Sequence, residues 1–388
     1  MRNAIRLVLS VVLFGCGDAA TPLTPANDAG SNEAQSDAKT SLLGFTPSTV
    51  DLAKLDLTNL KDLDFPTSQT WETDLGGVMG GGAKYVLLDQ PNGLKLGVFV
   101  ARSFTVEPNA VIRVEGANAL VLVALDRIDI RGTVEANTQT SPYFMGAGAY
   151  PVDASKSNVG GFGPGGGGSG TGETSGGGGS FCGIGGAGAA FTGTAATGGA
   201  SYGTASLIPL FGGSSGGVSF ATPGAGGGAI QMIAGSSITV SGTIHVGGEG
   251  AYKGGIYNPP NSQNARGGGS GGAIFLEAKA ITVSGALAAN GGGGGQGHQG
   301  ALGANATADG KAAAGGNDGT HGSAGGDGSD GSGVDGKPGQ VDPSTTAGGG
   351  GGGAGRIRIN TLTGTAALTG TISPATTSAC ATVGIVAP

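Results

Sequence analysis

From Gly272 to Gly292 the chain reads GAIFLEAKAITVSGALAANGG. Ile274, Leu276, Ala278, Ile281, Val283, Leu287 and Ala289 alternate with outward positions, and the phase is reset at Lys279-Ala280 and at Ser284-Gly285-Ala286. Alternation with period two, broken at short corners, predicts short strands that each carry one apolar face. Gly228 to Gly248, GAIQMIAGSSITVSGTIHVGG, repeats the pattern through Ile230, Met232, Ala234, Ile238, Val240, Gly242, Ile244 and Val246, with one corner longer by a residue. A unit of this length cannot bury its apolar face alone, so copies must stack. The expected fold is all-β: a β-solenoid, or parallel β-helix, of about five or more rungs.

Regular patterning begins near Leu94. Leu96, Val98, Val100, Phe104, Val106, Ile112 and Val114 read as one rung. Val121, Val123, Leu125, Ile128, Ile130, Val134 and Ala136 read as the next, with Gly132 and Asn137 where Gly285 and Asn290 fall in the reference unit. A last, weaker rung runs through Ile357, Ile359, Leu368, Gly370 and Ile372. Rungs are thus expected over 94–137, 227–248, 272–290 and 354–388, the last including a C-terminal tail. Residues 45–93 are expected to form an N-terminal cap and irregular first coils. Within them the spacing of Leu52, Leu55, Leu57, Leu60 and Leu63 fits either a short amphipathic helix or coil, and Trp71 is a candidate cover for the solenoid's open end.

Three insertions, 138–226, 249–271 and 291–353, interrupt the rungs. Each leaves next to Asn137, Gly247 or Asn290 and returns before Ile230, Ile274 or Ile357. Stacking in register requires all three to leave from one edge and lie side by side. Composition says what they are made of: 87 of 388 residues are glycine, against roughly 7% in ordinary chains. Gly165 to Gly168, Gly176 to Gly179, Gly291 to Gly295 and Gly348 to Gly353 are uninterrupted runs, and Gly319, Gly322, Gly325, Gly328 and Gly331 recur every third residue. That period matches an extended helix with three residues per turn, in which glycine lets backbones approach closely. Packed polyglycine II helices, partial order and disorder all remain open at this point. With aromatics at 5% and charged residues at 12%, the folded part is expected to rest on aliphatic stacking and backbone hydrogen bonds rather than on aromatic clusters.

Through GGAGAA at Gly185 to Ala190 and the long glycine runs, the insertions resemble glycine-rich bacterial surface proteins of the PGRS type. The resemblance covers the insertions alone and implies surface exposure. The rungs resemble right-handed parallel β-helices, a fold shared by adhesins, passenger domains and polysaccharide lyases, which does not decide among those functions. Arg2 and Arg6 flank an apolar run from Ala4 to Phe14, too short to span a bilayer permanently. Leu13-Phe14-Gly15-Cys16 resembles a lipobox. It implies a lipoprotein signal peptide over 1–15, lipidation of Cys16 and a flexible linker over 16–44. Gly17, rather than aspartate, follows the cysteine, which points to the outer membrane.

The net charge of −7 includes no basic cluster, which argues against a nucleic-acid partner. Cys182 and Cys380 are candidates for a disulfide outside the cytoplasm, with free thiols as the alternative. Gly325-Gly326-Asp327-Gly328-Ser329-Asp330 fits the opening of a calcium-binding nonapeptide. Ser332 stands where that repeat needs a large apolar residue, so a weak calcium site at Asp327 and Asp330 is weighed against a solvated acidic loop, and no other cofactor is expected. His245, His298 and His321 have no metal-ligand spacing, and His245 is expected to face solvent. Glu277 and Arg358, diagonal on successive rungs, are the best pair for carbohydrate chemistry, with an exposed structural ion pair as the alternative. The reading that follows is a non-catalytic cell-envelope lipoprotein presenting a glycine-rich layer for adhesion or surface structure, held to the membrane by lipid and partnered by envelope or extracellular polysaccharide. A carbohydrate-active β-helix enzyme of lyase or glycosidase type and a passive envelope scaffold are the alternatives.

Overall fold

A computed structural model describes residues 42–74, 82–91, 94–137, 146–150, 152, 159–170, 173–218, 222–254, 264–320, 322–342 and 346–388. The signal-like segment, Cys16, most of the expected linker and His321 lie outside the described residues. The chain begins with β1 (Asp62–Phe65), β2 (Gln69–Glu72), the antiparallel pair β3 (Lys84–Asp89) and β4 (Lys95–Ala101), β5 (Ser103–Val106) and β6 (Val111–Glu115). It continues through β7 (Ala119–Ala124), β8 (Arg127–Ile130), β9 (Thr133–Glu135), β10 (Ala229–Val240), β11 (Thr243–His245), β12 (Ala273–Val283) and β13 (Ala286–Ala288). The third insertion holds the short antiparallel pair β14 (Val341–Asp342) and β15 (Thr346–Ala347). The last strands are β16 (Arg356–Thr361), β17 (Ala367–Leu368), β18 (Thr371–Ser373) and β19 (Ala381–Ile385).

These strands form two stacked sheets. The larger runs β1-β5-β8-β10-β12-β16-β19, with β3, β4 and β7 continuing it beside β10 and with β17 on β12, and the smaller runs β18-β13-β11-β9-β6-β2. Apart from β3 with β4, every pairing in them is parallel. The repeat holds its register: Ile230, Ile274 and Ile357 are successive partners, and so are Val134, Ile244, Leu287 and Ile372. The longer corner of β10 is absorbed as a register shift between Ala234 and Ser237. Corners stack on glycine, because a Cβ at Gly242, Gly285 or Gly370 would lie 1.9–2.0 Å from the carbonyl oxygen of the glycine one rung earlier.

The closed β-solenoid expected from the repeat is not what forms. After β9, β11 and β13 the chain does not turn directly back to the larger sheet; it departs into the insertions, so the two sheets stack without a third ladder. The apolar core lies between them, around Phe104, Ile112, Leu120, Met232, Ile244, Leu276 and Leu287. The larger sheet is buried on its other face too, where Leu96, Val98, Val100, Val121, Val123, Ile233 and Phe275 pack with Leu43, Phe45, Val50, Leu52 and Leu55 of the N-terminal strap. The phase read from Leu96/Val98/Val100 and Val121/Val123 is therefore wrong by one residue. Phe99, Leu120 and Leu122 point into the core, and Ile230 pairs with Leu120. With apolar residues on both faces, alternation cannot say which face is inside.

The expected irregular cap is in part a further rung: β1 pairs with β5 and β2 with β6. Trp71 sits on the last strand of the smaller sheet, fully buried against Phe65 in an edge-on contact at 5.0 Å. Leu52 lies in a single 3-10 turn, and Leu43, inside the expected linker, is already buried. Aromatic clustering also matters more than composition implied. Tyr150, Phe181, Tyr202 and Phe211 of the first insertion pack ring to ring at 4.8–6.5 Å, with the Arg356 guanidinium 5.5 Å from the Phe181 ring.

Candidate binding surface

Backbone amides decide how the insertions pack. Gly176 and Gly179 donate to Ala265 and Gly268, Gly177 and Ser180 donate to Gly168 and Gly165, and Gly178 donates to Gly186. In the third insertion, Gly294 and Gly297 reach Gly326 and Ser323, Gly292 and Gly295 reach Gly269 and Arg266, and Gly293 and Gln296 reach Ala304 and Ala301. Residues three apart thus address one neighbour, and consecutive residues address three neighbours in turn. That is the geometry of extended helices with three residues per turn. Gly348 to Gly355 runs through the middle: Gly350 and Gly353 pair with Gly176 and Gly179, Gly349 and Gly352 with Gly295 and Gly292, and Gly348 and Gly351 with Gln340 and Lys337. The three insertions are interleaved as one hydrogen-bonded bundle.

Close approach, not handedness, is what requires glycine here. The positive-φ glycines among the described residues do not include those of the central runs. A Cβ at Gly267 would lie 1.8 Å from Gly177 O, and one at Gly178 would lie 1.9 Å from Gly351 O. Outer segments carry side chains that are exposed, among them Ala304, Ala314, Asn317 and Lys337.

The sequence-predicted residues fall in several places. Cys182 and Cys380 are joined by a disulfide that ties the first insertion to the chain just ahead of β19, across 198 residues. Asp327 accepts from Gly315 N–H, while Asp330 accepts from Ser332 N–H, Ser332 Oγ–H and Gly333 N–H. The two carboxylates fasten turns and neighbouring backbone. Among the described residues no group of three or more His, Cys, Asp or Glu is gathered for a metal ion. His245 does not face solvent: it is 5% exposed, with Nδ1 3.0 Å from Asn137 Nδ2, and burial holds its pKa down at about 4.

Glu277 and Arg358 do not form the exposed pair. Phe275 is the partner of Arg358 and Asn360 the partner of Glu277. Glu277 is completely buried beneath the N-terminal strap, where its carboxylate accepts from Ser48 Oγ at 2.5 Å, Ser48 N–H at 3.2 Å, Gln231 Nε2 at 2.7 Å and Asn360 Nδ2 at 3.3 Å. Burial pushes its pKa up, and these donors oppose the shift. Arg358 turns instead to Thr382 Oγ1 at 3.1 Å. Glu277 is a fastener for the strap, and Glu277→Ala is expected to leave three partners unsatisfied at a cost of about 3 kcal/mol. Hydrogen exchange in residues 42–55 should rise more than exchange in β10 and β12. Equal protection in Glu277→Ala and the unsubstituted protein would remove this role.

Sequence reasoning missed two concave sites. One, about 370 Å³, is lined by Ser68, Gln69, Thr70, Val111 and Arg113 on the smaller sheet, where Arg113 pairs with Glu135 at 3.0 Å. The other, about 180 Å³, opens between the second and third insertions and is lined by Glu249, Gly250, Ala251, Tyr252, Leu302, Gly303 and Asn305. Glu249 is 4% exposed, accepts one hydrogen bond from Ala225 N–H at 3.2 Å, and is pushed up to about 7 by burial. Only the spatial pairing of the insertions brings these residues together. No family model, curated protein or solved structure matches the chain.

Proposed function

We propose that the protein is a non-catalytic cell-envelope lipoprotein, anchored through Cys16, that presents its glycine-rich bundle for adhesion to envelope or extracellular polysaccharide. The supporting observation is that the three insertions form one bundle carried on one side of the sheet stack. Such a body is stiffened by lateral backbone pairing and offers a broad surface of small side chains and backbone groups. Broad, shallow contact of that kind suits a polymer. The carboxylates singled out for chemistry support the same reading, since Glu277 lies under the strap and Asp330 closes its own turn.

The third insertion cannot be deleted without dismantling the bundle, because Gly292, Gly350 and Gly353 pair with the other two insertions. Ala304→Arg with Ala314→Arg places charged bulk on exposed outer positions while leaving backbone pairing in place. The folded full chain should be retained on isolated envelope polysaccharide, and the double variant should lose at least about tenfold in affinity, worth roughly 1.4 kcal/mol. Failure of the unsubstituted protein to bind any envelope polymer, with self-association instead, would favour the passive scaffold.

A further inference from the structure

We infer that the cavity between the second and third insertions is a binding site for an amino sugar bearing a free amine, which rests on the polymer-binding reading and gives it a ligand chemistry. Three groups converge there. Glu249 Oε2 accepts from Ala225 N–H, and Oε1 has no hydrogen-bond partner among the described residues. Asn305 is oriented by its Oδ1, which accepts from Gly250 N–H at 2.8 Å, so its Nδ2 donors are left for the cavity. Tyr252 and Leu302 supply the apolar wall, and Leu302 is 52% exposed, an unusual position for a large aliphatic residue.

A carboxylate removed from water without a counter-charge is unfavourable. An ammonium group supplies that charge through a charge-assisted hydrogen bond. A hydroxyl on the adjacent carbon accepts from Asn305 Nδ2, and the C–H face of the sugar ring lies against Tyr252 and Leu302. A simple cation would satisfy Glu249 but would use neither Asn305 nor the apolar wall. An N-acetylated sugar fills the same space but leaves the carboxylate uncompensated.

Among the described residues no protein cation already fills this role. The segments that pair with Gly248 and Glu249, through Ala306 and Gly269, carry Asp309 and Arg266 three residues away along the chain. Arg266 directs Nη1 to Lys253 O, and Asp309 is held by Thr307 and Lys311. On its own segment, Lys253 Nζ donates to Gln299 O at 3.2 Å. His245, buried with a pKa of about 4, is uncharged at neutral pH.

The site requires the ionised carboxylate, and the free protein's Glu249 titrates at about 7. Affinity should therefore fall on the acid side of that pH, approaching tenfold per unit, and fall again on the alkaline side as the amine of the sugar loses its own proton, leaving a maximum near neutral pH. Calorimetric titration of the full chain with glucosamine and chitosan oligosaccharides, against N-acetylglucosamine and chitin oligosaccharides, reads this directly. The amine forms should bind at least about tenfold more tightly. Glu249→Gln, which keeps an acceptor for Ala225 N–H, should abolish the difference and the pH dependence. Leu302→Ala, at an exposed position with no folding role, should weaken binding several-fold. Equal binding of acetylated and free-amine sugars, or spermidine binding with no response to glucosamine, would overturn the inference. Retention on envelope polymer that Glu249→Gln leaves unchanged would overturn the site but keep the polymer-binding layer. Glucosamine binding without retention on any envelope polymer would keep the site and remove the layer's proposed role.

Discussion

Gly267→Ala is expected to destabilise the protein by about 3 kcal/mol or more, although it adds a single methyl group. The new Cβ would lie 1.8 Å from Gly177 O and 2.4 Å from the carbonyl carbon behind it. Backbone cannot rotate aside as a side chain can, and Gly267 is held on two sides, through its own N–H to Gly217 and through its carbonyl from Gly224. The bundle must open locally, which puts the substitution at or beyond the upper end of ordinary overpacking costs. Gly310→Ala is the matched control, because a Cβ there meets nothing within 4 Å and φ is not left-handed. It should change stability by less than about 1 kcal/mol, and in the favourable direction through the unfolded chain. Urea midpoints for the two variants test the pair. Similar midpoints would mean that the glycine runs are not packed as described.

The second large effect is at the disulfide. Removing Cys182–Cys380 with a double serine variant releases a loop of 198 residues, for which chain entropy predicts a loss of about 5 kcal/mol. The measured cost should lie at about 3–5 kcal/mol, since denatured chains retain some structure. Non-reducing peptide mapping of the unreduced protein should recover the two cysteines in one linked fragment. Equal urea stability with and without reductant would show that the link constrains little.

How much was legible in the sequence differs element by element. The reference unit and its copies were readable because Ile274, Leu276 and Ile281 have an outward face that is polar in part, at Lys279 and Thr282. The matches Gly285 with Gly242 and Ile357 with Ile274 followed from the same pattern. The phase of β4 and β7 was not readable. Their outward residues Val98 and Val121 are as apolar as the inward Phe99 and Leu122, because the strap around Leu43, Phe45 and Leu52 covers them. Solenoid closure failed for a related reason, since period two describes strands and says nothing of how the chain returns. The role of Glu277 was misjudged because Ser48, its closest partner, is 229 residues away. The cavity at Glu249 had little local signal: Leu302 and Asn305 meet Glu249 through long-range pairings, of Gly303 with Ala251, of Ala306 with Gly248 and of Asn305 with Gly250. The one hint available was an isolated Tyr252 and Leu302 in stretches otherwise made of small residues.

Interleaving also imposes an order of events on synthesis. Gly176 O and Gly179 O receive their N–H groups from Gly350 and Gly353, and Cys182 N–H donates to Ala354 O. The first insertion therefore waits for a segment made some 170 residues later, and contacts of such separation form slowly. Until that segment arrives, the early glycine runs lack these backbone partners and stay solvated. The fold completes only once nearly the entire chain has been made, so the bundle acquires its rigidity last and in a single step.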